Sequence, residues 1–283
     1  MNPTPGILYL IGTPIGNLED ITLRALRALR DVDLIAAEDT RVTRVLLQHY
    51  KIETRMISYH EHSGLRRLEE IMAALRSGKD IAFVSDAGMP GISDPGAKLV
   101  GACADAGISA VVVPGPAAAS AALALSGLPA KEFLFLGFLP SRGGPRREAL
   151  RRVVGQPGAL ILFEAPHRLR ESLEAMAQVL GDRRAACCRE LTKHFEEVVR
   201  GTISELMTHF SQVEPRGEFT IVIEGVKTRS VPGDVDAAGE EVAELIAAGL
   251  SPSRAVTHVA KARRVSKSAL YRAVVTQRRG DEA

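Results

Sequence analysis

The sequence predicts an α/β protein: two α/β domains in succession, then a small helical unit of helix-turn-helix type. Three observations predict it. The first third alternates short apolar runs with amphipathic stretches of helical period. The middle brings two apolar runs too close together for a helix to fit between them, which implies antiparallel pairing in a mixed sheet. The end is basic and reads as two short helices. A chain of 283 residues is long enough for more than one domain. With 46% hydrophobic residues but only 4% aromatic and no Trp, the core must be built from Val, Ile, Leu and Ala.

In chain order, residues 7–11 form an apolar strand and 12–17 a loop. Residues 20–30 form a helix with Ile21, Ala25, Leu26 and Leu29 on its buried side. Strands follow at 34–37, 55–58, 81–85 and 109–113, separated by helices at 42–49, 66–76 and 97–106, the last closed by Gly107. An Ala-rich helix covers 116–126. Beyond Leu128-Pro129, a plausible hinge, strands are predicted at 133–138, 159–163, 184–190, 196–199 and 218–223, with a long helix at 168–180. The turn-rich segment Val231-Pro232-Gly233-Asp234 leads to two helices, capped by Ser253 and Ser266 and joined by 263–265. The expected domains are therefore 1–127, 128–225 and 226–283.

Several classes are excluded. Adjacent Cys187 and Cys188, with Cys103 far away, fit neither a metal knuckle nor a disulfide framework and read as buried thiols in a reducing compartment. No signal-peptide pattern opens the chain and no apolar run is of bilayer length, so a cytoplasmic protein without membrane contact is expected. The net charge of +2 conceals an asymmetry. Residues 251–283 carry eight basic and two acidic side chains, leaving the rest at −4. A basic end on an acidic body suits a polyanion partner; its alternative is a solvated helix surface.

Four loops follow predicted strands, at the edge where open α/β sheets bind ligands. Gly12-Thr13-Pro14-Ile15-Gly16-Asn17 lacks the ending of a phosphate loop. Glu38-Asp39-Thr40-Arg41 leaves its strand as a charged cluster. The third, Ser85-Asp86-Ala87-Gly88-Met89-Pro90-Gly91-Ile92-Ser93-Asp94-Pro95-Gly96, holds more Gly and Pro than a turn needs and lets backbone approach a flat ligand. Pro114-Gly115-Pro116 is the fourth. Each alone reads as a turn or a helix start; four at one edge make a site. His60-Glu61-His62 has alternating imidazoles but no third ligand near it, so no metal is expected. Arg189-Glu190-Leu191-Thr192-Lys193 and Glu164-Ala165-Pro166-His167-Arg168 read either as ion-paired corners or as site residues.

These loops are similar to the S-adenosylmethionine site of the tetrapyrrole-methylase superfamily. The strings GTPIGNLEDIT from Gly12, EDTR from Glu38, SYHEH from Ser58, SDAGMPGISDPG from Ser85, FLGFLP from Phe135, EAPHR from Glu164 and RELTK from Arg189 narrow the likeness. Together they closely resemble the ribosomal RNA small-subunit methyltransferase I family, the cytidine 2′-O-methylases, over nearly the whole chain. Phe163 departs from the pattern where relatives often carry Tyr. So do Ser63, where Asn is common, and Arg264, at a corner where Gly would ease the turn.

The resemblance implies two α/β domains with a cleft between them, a homodimer, S-adenosylmethionine as donor, and a cytidine of 16S rRNA in the small ribosomal subunit as acceptor. Donor contacts are expected from Thr13 and Pro14, from Asp86, Ala87, Gly88, Met89 and Ser93, and from Pro114, Gly115 and Pro116. Methyl transfer from a sulfonium needs alignment above all. The poorly nucleophilic hydroxyl also needs a base or a cation. Glu38, Asp39, Arg41, His60, Glu61, Glu190 and Lys193 are at the right edge. Asp39, Glu61, Arg41 and Lys193 are the residues expected at the acceptor. Phosphate contacts are expected from Arg142, Arg146, Arg147, Arg151 and Arg152, and from Arg254, Lys261, Arg263, Arg264 and Lys267 in the helical unit. Two rival readings remain open: a methylase of a tetrapyrrole precursor, and a ligand-sensing helix-turn-helix regulator of DNA.

Overall fold

Alternation of two faces along each short strand decides the architecture of the first half. The computed structural model describes residues 4–92, 94–129, 131–226, 235–263 and 265–280. In order come β1 (Leu8–Ile11), α1 (Leu23–Asp31), β2 (Leu34–Ala37), α2 (Thr40–His49), β3 (Met56–Ser58), α3 (Gly64–Arg76), β4 (Ile81–Val84), α4 (Gly96–Asp105) and β5 (Ala110–Val113). The strands form one sheet in the order β3-β2-β4-β1-β5, with every pairing parallel. Ile35 and Ala37 point to one face and pack with Leu26 and Leu29 of α1 and Leu46 of α2. Ala36 points to the other, with Ile71 of α3 and Leu99 of α4. Helices therefore cover both faces, and the carboxyl ends of β1, β2 and β4 are free to carry loops. The first helix starts later than its apolar period suggests. Leu18–Asp20 is a separate 3-10 turn, and Thr22 caps α1 by accepting a hydrogen bond from the Ala25 N–H at 3.1 Å.

The second half holds α5 (Ala118–Ser126), β6 (Phe133–Phe138), α6 (Gly143–Arg151), β7 (Ala159–Glu164), α7 (Leu169–Leu180), β8 (Arg184–Arg189), β9 (Glu197–Thr202), α8 (Ile203–Gln212) and β10 (Phe219–Ile223). Its sheet runs β6-β7-β10-β8-β9. Only β6 and β7 are parallel; the other pairs are antiparallel, so the sheet is mixed, as the close spacing of the strands predicts. One face is covered by α7 and α8 through Leu173, Met176, Leu206 and Phe210. The other packs on α5, and Ile15 from the first half joins it. Leu128, placed at a hinge by the sequence pattern, is buried in this second core beside α5. The chain passes from one sheet to the other upstream, between β5 and α5. Cys187 and Cys188 occupy opposite faces of β8. Burial pushes the Cys188 thiol up to about 11 and the Cys187 thiol higher, so both are protonated packing groups.

Arg146, expected on RNA, is a correction. It lies on the inward side of α6, one turn before Leu150, and is 2% exposed. Its guanidinium donates to the Pro140 and Ser141 carbonyls and pairs with Glu171 at 3.2 Å. Arg142, Arg147, Arg151 and Arg152 are exposed, the last two beside Glu148.

By contacts the chain divides into Met1–Gly225, which contains both sheets, and Val226–Ala283. The second unit packs α9 (Val235–Ala247), α10 (Pro252–Ala262) and α11 (Lys267–Gly280) around Val242, Val256, Val259 and Leu270. Helix α9 was not foreseen. Ser251, not Ser253, is the residue before α10, whose first position is Pro252. The segment Val231–Asp234 and Arg264 lie outside the described residues. Arg254, Lys261 and Lys267 are exposed, whereas Arg263 pairs with Glu241 at 2.7 Å. Among the described residues no helix is long and apolar enough to cross a membrane.

Candidate active site

The loop after β1 is wedged between the loops after β4 and β5. Thr13 and Gly88 exchange both backbone hydrogen bonds, at 3.0 and 3.1 Å, and the Thr13 hydroxyl donates to the Ser85 carbonyl. Gly12 and Gly115 touch backbone to backbone. A Cβ on Gly12 would lie 2.7 Å from the Gly115 nitrogen and Cα and from the Met89 sulfur. The Gly115 N–H donates to that sulfur at 3.2 Å. Asp94 fixes the Gly/Pro-rich loop by accepting from the N–H groups of Gly91, Ile92 and Gly96.

The wedge forms one wall of a cavity of about 490 Å³, large enough for a cofactor-sized ligand. Thr13, Pro14, Asp86 and Ala87 line it, with Val42, Val45 and Leu46 of α2 opposite and Lys193 and Glu218 from the second half. Gly88, Met89 and the Pro114–Pro116 loop stand outside this lining: the backbone of Gly88 is engaged by Thr13, and the Met89 sulfur by Gly115. Ser93 lies outside the described residues. Ser85, at the head of the third loop but not among the expected donor contacts, also lines the cavity; its hydroxyl is buried and has no hydrogen-bond partner among the described residues. The sequence pattern missed α2 in this lining. The apolar but exposed Val42 and Val45, lying off the buried stripe of α2, were the available signal.

Carboxylates gather around Asp86. The Asp39 N–H donates to the Asp86 carboxylate at 2.8 Å, and the Asp86 N–H to Glu38 at 3.2 Å. Asp39 caps α2 and grips Arg41 through its guanidinium and its N–H. The Arg41 guanidinium holds the Asp39 carboxyl down at about 2. Asp39 is therefore a weak base, and Arg41 is a paired, exposed cation. Burial instead raises Glu38 and Asp86, with neighbouring carboxylates adding to the rise. Glu61 sits in the exposed turn after β3, away from the cavity lining.

Because the folded state raises its pKa, the Glu38 carboxyl stabilises the fold fully only below the ordinary glutamate value, about 4.3. That contribution is lost as pH rises through the folded-state value. Glu38→Gln should consequently raise Tm by about 1–2 °C at pH 8 and leave it unchanged at pH 4. Thermal melts at the two pH values measure this, and an equal shift at both would remove the burial argument.

Lys193 enters from a strained corner. Glu190 and Thr192 are non-glycine residues at φ +51° and +64°. The Lys193 amine bonds Glu190 and Glu218, each at 3.0 Å. Burial alone would lower its pKa, but these two bonds outweigh it and hold the amine above the ordinary lysine value. It is a fixed cation, not a base. The corner meets the first loop closely: a Cβ on Gly16 would lie 2.5 Å from the Lys193 Cγ and 2.8 Å from the Leu191 oxygen. The EAPHR string resolves as structural. Glu164 is buried at the end of β7, accepts from Ser172 and the Ala165 N–H, and pairs with Arg168 at 3.2 Å.

A family model described as tetrapyrrole (corrin/porphyrin) methylases matches residues 7–207. The chain is 45% identical over 268 residues to Ribosomal RNA small subunit methyltransferase I of Synechocystis sp., covering 94% of this chain and 96% of that protein. It is 45% identical to the protein of the same name from Bacillus subtilis, covering 94% and 93%. To that from Thermotoga maritima it is 48% identical over 220 residues, 78% of this chain and 99% of that one. Among solved structures, cobalt precorrin-4 methyltransferase CbiF aligns with a TM-score of 0.57 at 18% identity, covering 77% of this chain and 94% of that one. Uroporphyrin-III-C-methyltransferase from Thermus thermophilus aligns at 0.53 and 22% identity, covering 77% and 94%. At these identities the structures share the fold alone.

Proposed function

The chain belongs to the ribosomal RNA small subunit methyltransferase I family, within the tetrapyrrole methylases, and on that premise we propose that it carries a methyl group from S-adenosylmethionine to the ribose 2′-hydroxyl of a cytidine in the decoding region of 16S rRNA. The observation that carries the reading is the cavity between the two sheets, lined by Ser85 and Asp86 from the first half and by Lys193 and Glu218 from the second. The donor fits the residues present. Its sulfonium and ammonium charges suit Asp86, which lines the cavity and is hydrogen-bonded to Glu38 and Asp39, and its flat base suits the apolar side chains of Pro14, Val42 and Leu46. When bound, it supplies a methyl group already activated on a cationic sulfur.

The protein's own residues then align and deprotonate. The Thr13–Gly88 bridge and the Gly12–Gly115 contact hold the wall rigid, so that orientation is set before the acceptor arrives. Among the edge carboxylates Glu38 is assigned to take the hydroxyl proton, because Asp39, held at about 2, has little affinity for it. Lys193 lends a fixed positive charge beside the oxygen that loses the proton. The exposed Arg142, Arg147, Arg254, Lys261 and Lys267 are assigned to phosphates. A homodimer in the cytoplasm is part of the same proposal.

Labelled S-adenosylmethionine incubated with small ribosomal subunits from cells lacking this protein tests it, with the RNA digested to nucleosides. Label in 2′-O-methylcytidine is the expected result. Label on a base would retain the rRNA methyltransferase and overturn the acceptor. Label in a tetrapyrrole precursor and none in RNA would overturn the substrate class.

A further inference from the structure

The protein has eight phenylalanines, and Phe138 is 58% exposed although it ends a strand. A bulge between Phe135 and Phe138 re-aims it, with Gly137 at φ +63°. The ring leans on Phe163 at 5.6 Å, and Phe163 meets Phe135 edge-on at 4.9 Å.

Register settles which way this cluster faces. Phe138 stands opposite Phe163, Phe163 opposite Thr220, and Thr220 opposite Cys188. Directly paired residues share a face. Cys188 is on the α5 side, the side that Ile15 of the first half joins. Thr220 lies two residues beyond Glu218, which lines the cavity. Phe138 is thus two strands from the cavity's edge, a lateral distance of about 10 Å.

The backbone after Phe138 is pinned. Arg168 donates to the Leu139 carbonyl, and buried Arg146 to those of Pro140 and Ser141. Two arginines hold three successive carbonyls, so the ring stands on a rigid support. Arg142, four residues along the chain from Phe138, and His167, four residues from Phe163, are exposed. An exposed aromatic ring backed by a second ring suits stacking with a nucleic-acid base.

We propose that Phe138, backed by Phe163, is a stacking platform for a base of the unpaired rRNA segment next to the methylated nucleotide. The inference rests on the rRNA reading above.

Steady-state methylation of small ribosomal subunits tests it. Phe138→Ala should raise KM for the subunit about ten-fold, with KM for S-adenosylmethionine and the sedimentation of the protein unchanged. Phe138→Tyr should restore the wild-type value and Phe138→Leu should not. An unchanged KM in Phe138→Ala, or rescue by Leu equal to that by Tyr, would overturn the platform. Altered sedimentation with unaltered subunit KM would assign the face to a second copy of the chain and overturn it too. Failure of the underlying reading looks different: the wild-type protein would then transfer no methyl group to RNA.

Discussion

Gly12→Ala is expected to lower methyl transfer by more than about 100-fold while leaving the protein folded. The new Cβ would lie 2.7 Å from the Gly115 nitrogen and Cα, both backbone atoms. Retreat is blocked on the Gly12 side, where its N–H bonds the Val113 carbonyl at 3.0 Å and Thr13 is bridged to Gly88. The strain must therefore move Thr13 and Pro14, which line the cavity. A shift of about 1 Å in a group that aligns donor and acceptor carries a penalty of that size. Gly115→Ala should act alike, since its Cβ would meet the Gly12 carbonyl oxygen at 2.8 Å. Turnover at saturating donor, with circular dichroism to check folding, measures both. Wild-type turnover in either variant would mean that the wall yields and alignment does not depend on this contact.

Glu164→Ala should remove about 3–5 kcal/mol of stability, because it leaves the largely buried Arg168 without its counter-charge. In a body of this size that lowers Tm by about 10–15 °C. The ion pair is made side-on rather than through a linear hydrogen bond, yet Glu164 also serves Ser172 and the Ala165 N–H, so its removal orphans several groups at once. Removing both charges with Glu164→Ala and Arg168→Leu should recover part of the loss. Urea unfolding of the single and double variants decides the matter. A single-variant loss below about 1 kcal/mol would place the pair among weak surface bridges instead.

The first sheet was legible because each of its strands is a short apolar run beside a helix with a clear buried stripe. Helix α6, which the pattern missed, has a weaker one. In α6, GGPRREALR, the buried positions are Arg146 and Leu150, so apolar periodicity is nearly absent and an arginine does a core residue's work. Helix α8 carried a readable signal: Thr202 and Glu205 form a capping box at its start. The four loops were legible from their place after strands, and two of them, 12–17 and 85–96, line the cavity. The partners from the second half were only half so. Lys193 stood out in a charged string, but Glu218 precedes a strand like any other glutamate, and it reaches the cavity only because β10 lies beside β8. Asp39, expected at the acceptor, is paired locally with Arg41, two residues away, and composition does not show that pairing.

The position of β10 has a consequence in time. It is the last strand made, yet it lies in the middle of its sheet, between β7 and β8. Until residue 223 has left the ribosome, β6–β7 and β8–β9 are two separate ribbons, each with an open edge and neither stable alone. The half of the protein that supplies Lys193 and Glu218 to the cavity thus closes in a single late step. Synthesis that stalls shortly before Phe219 strands a chain with its first sheet complete and its second exposed to aggregation.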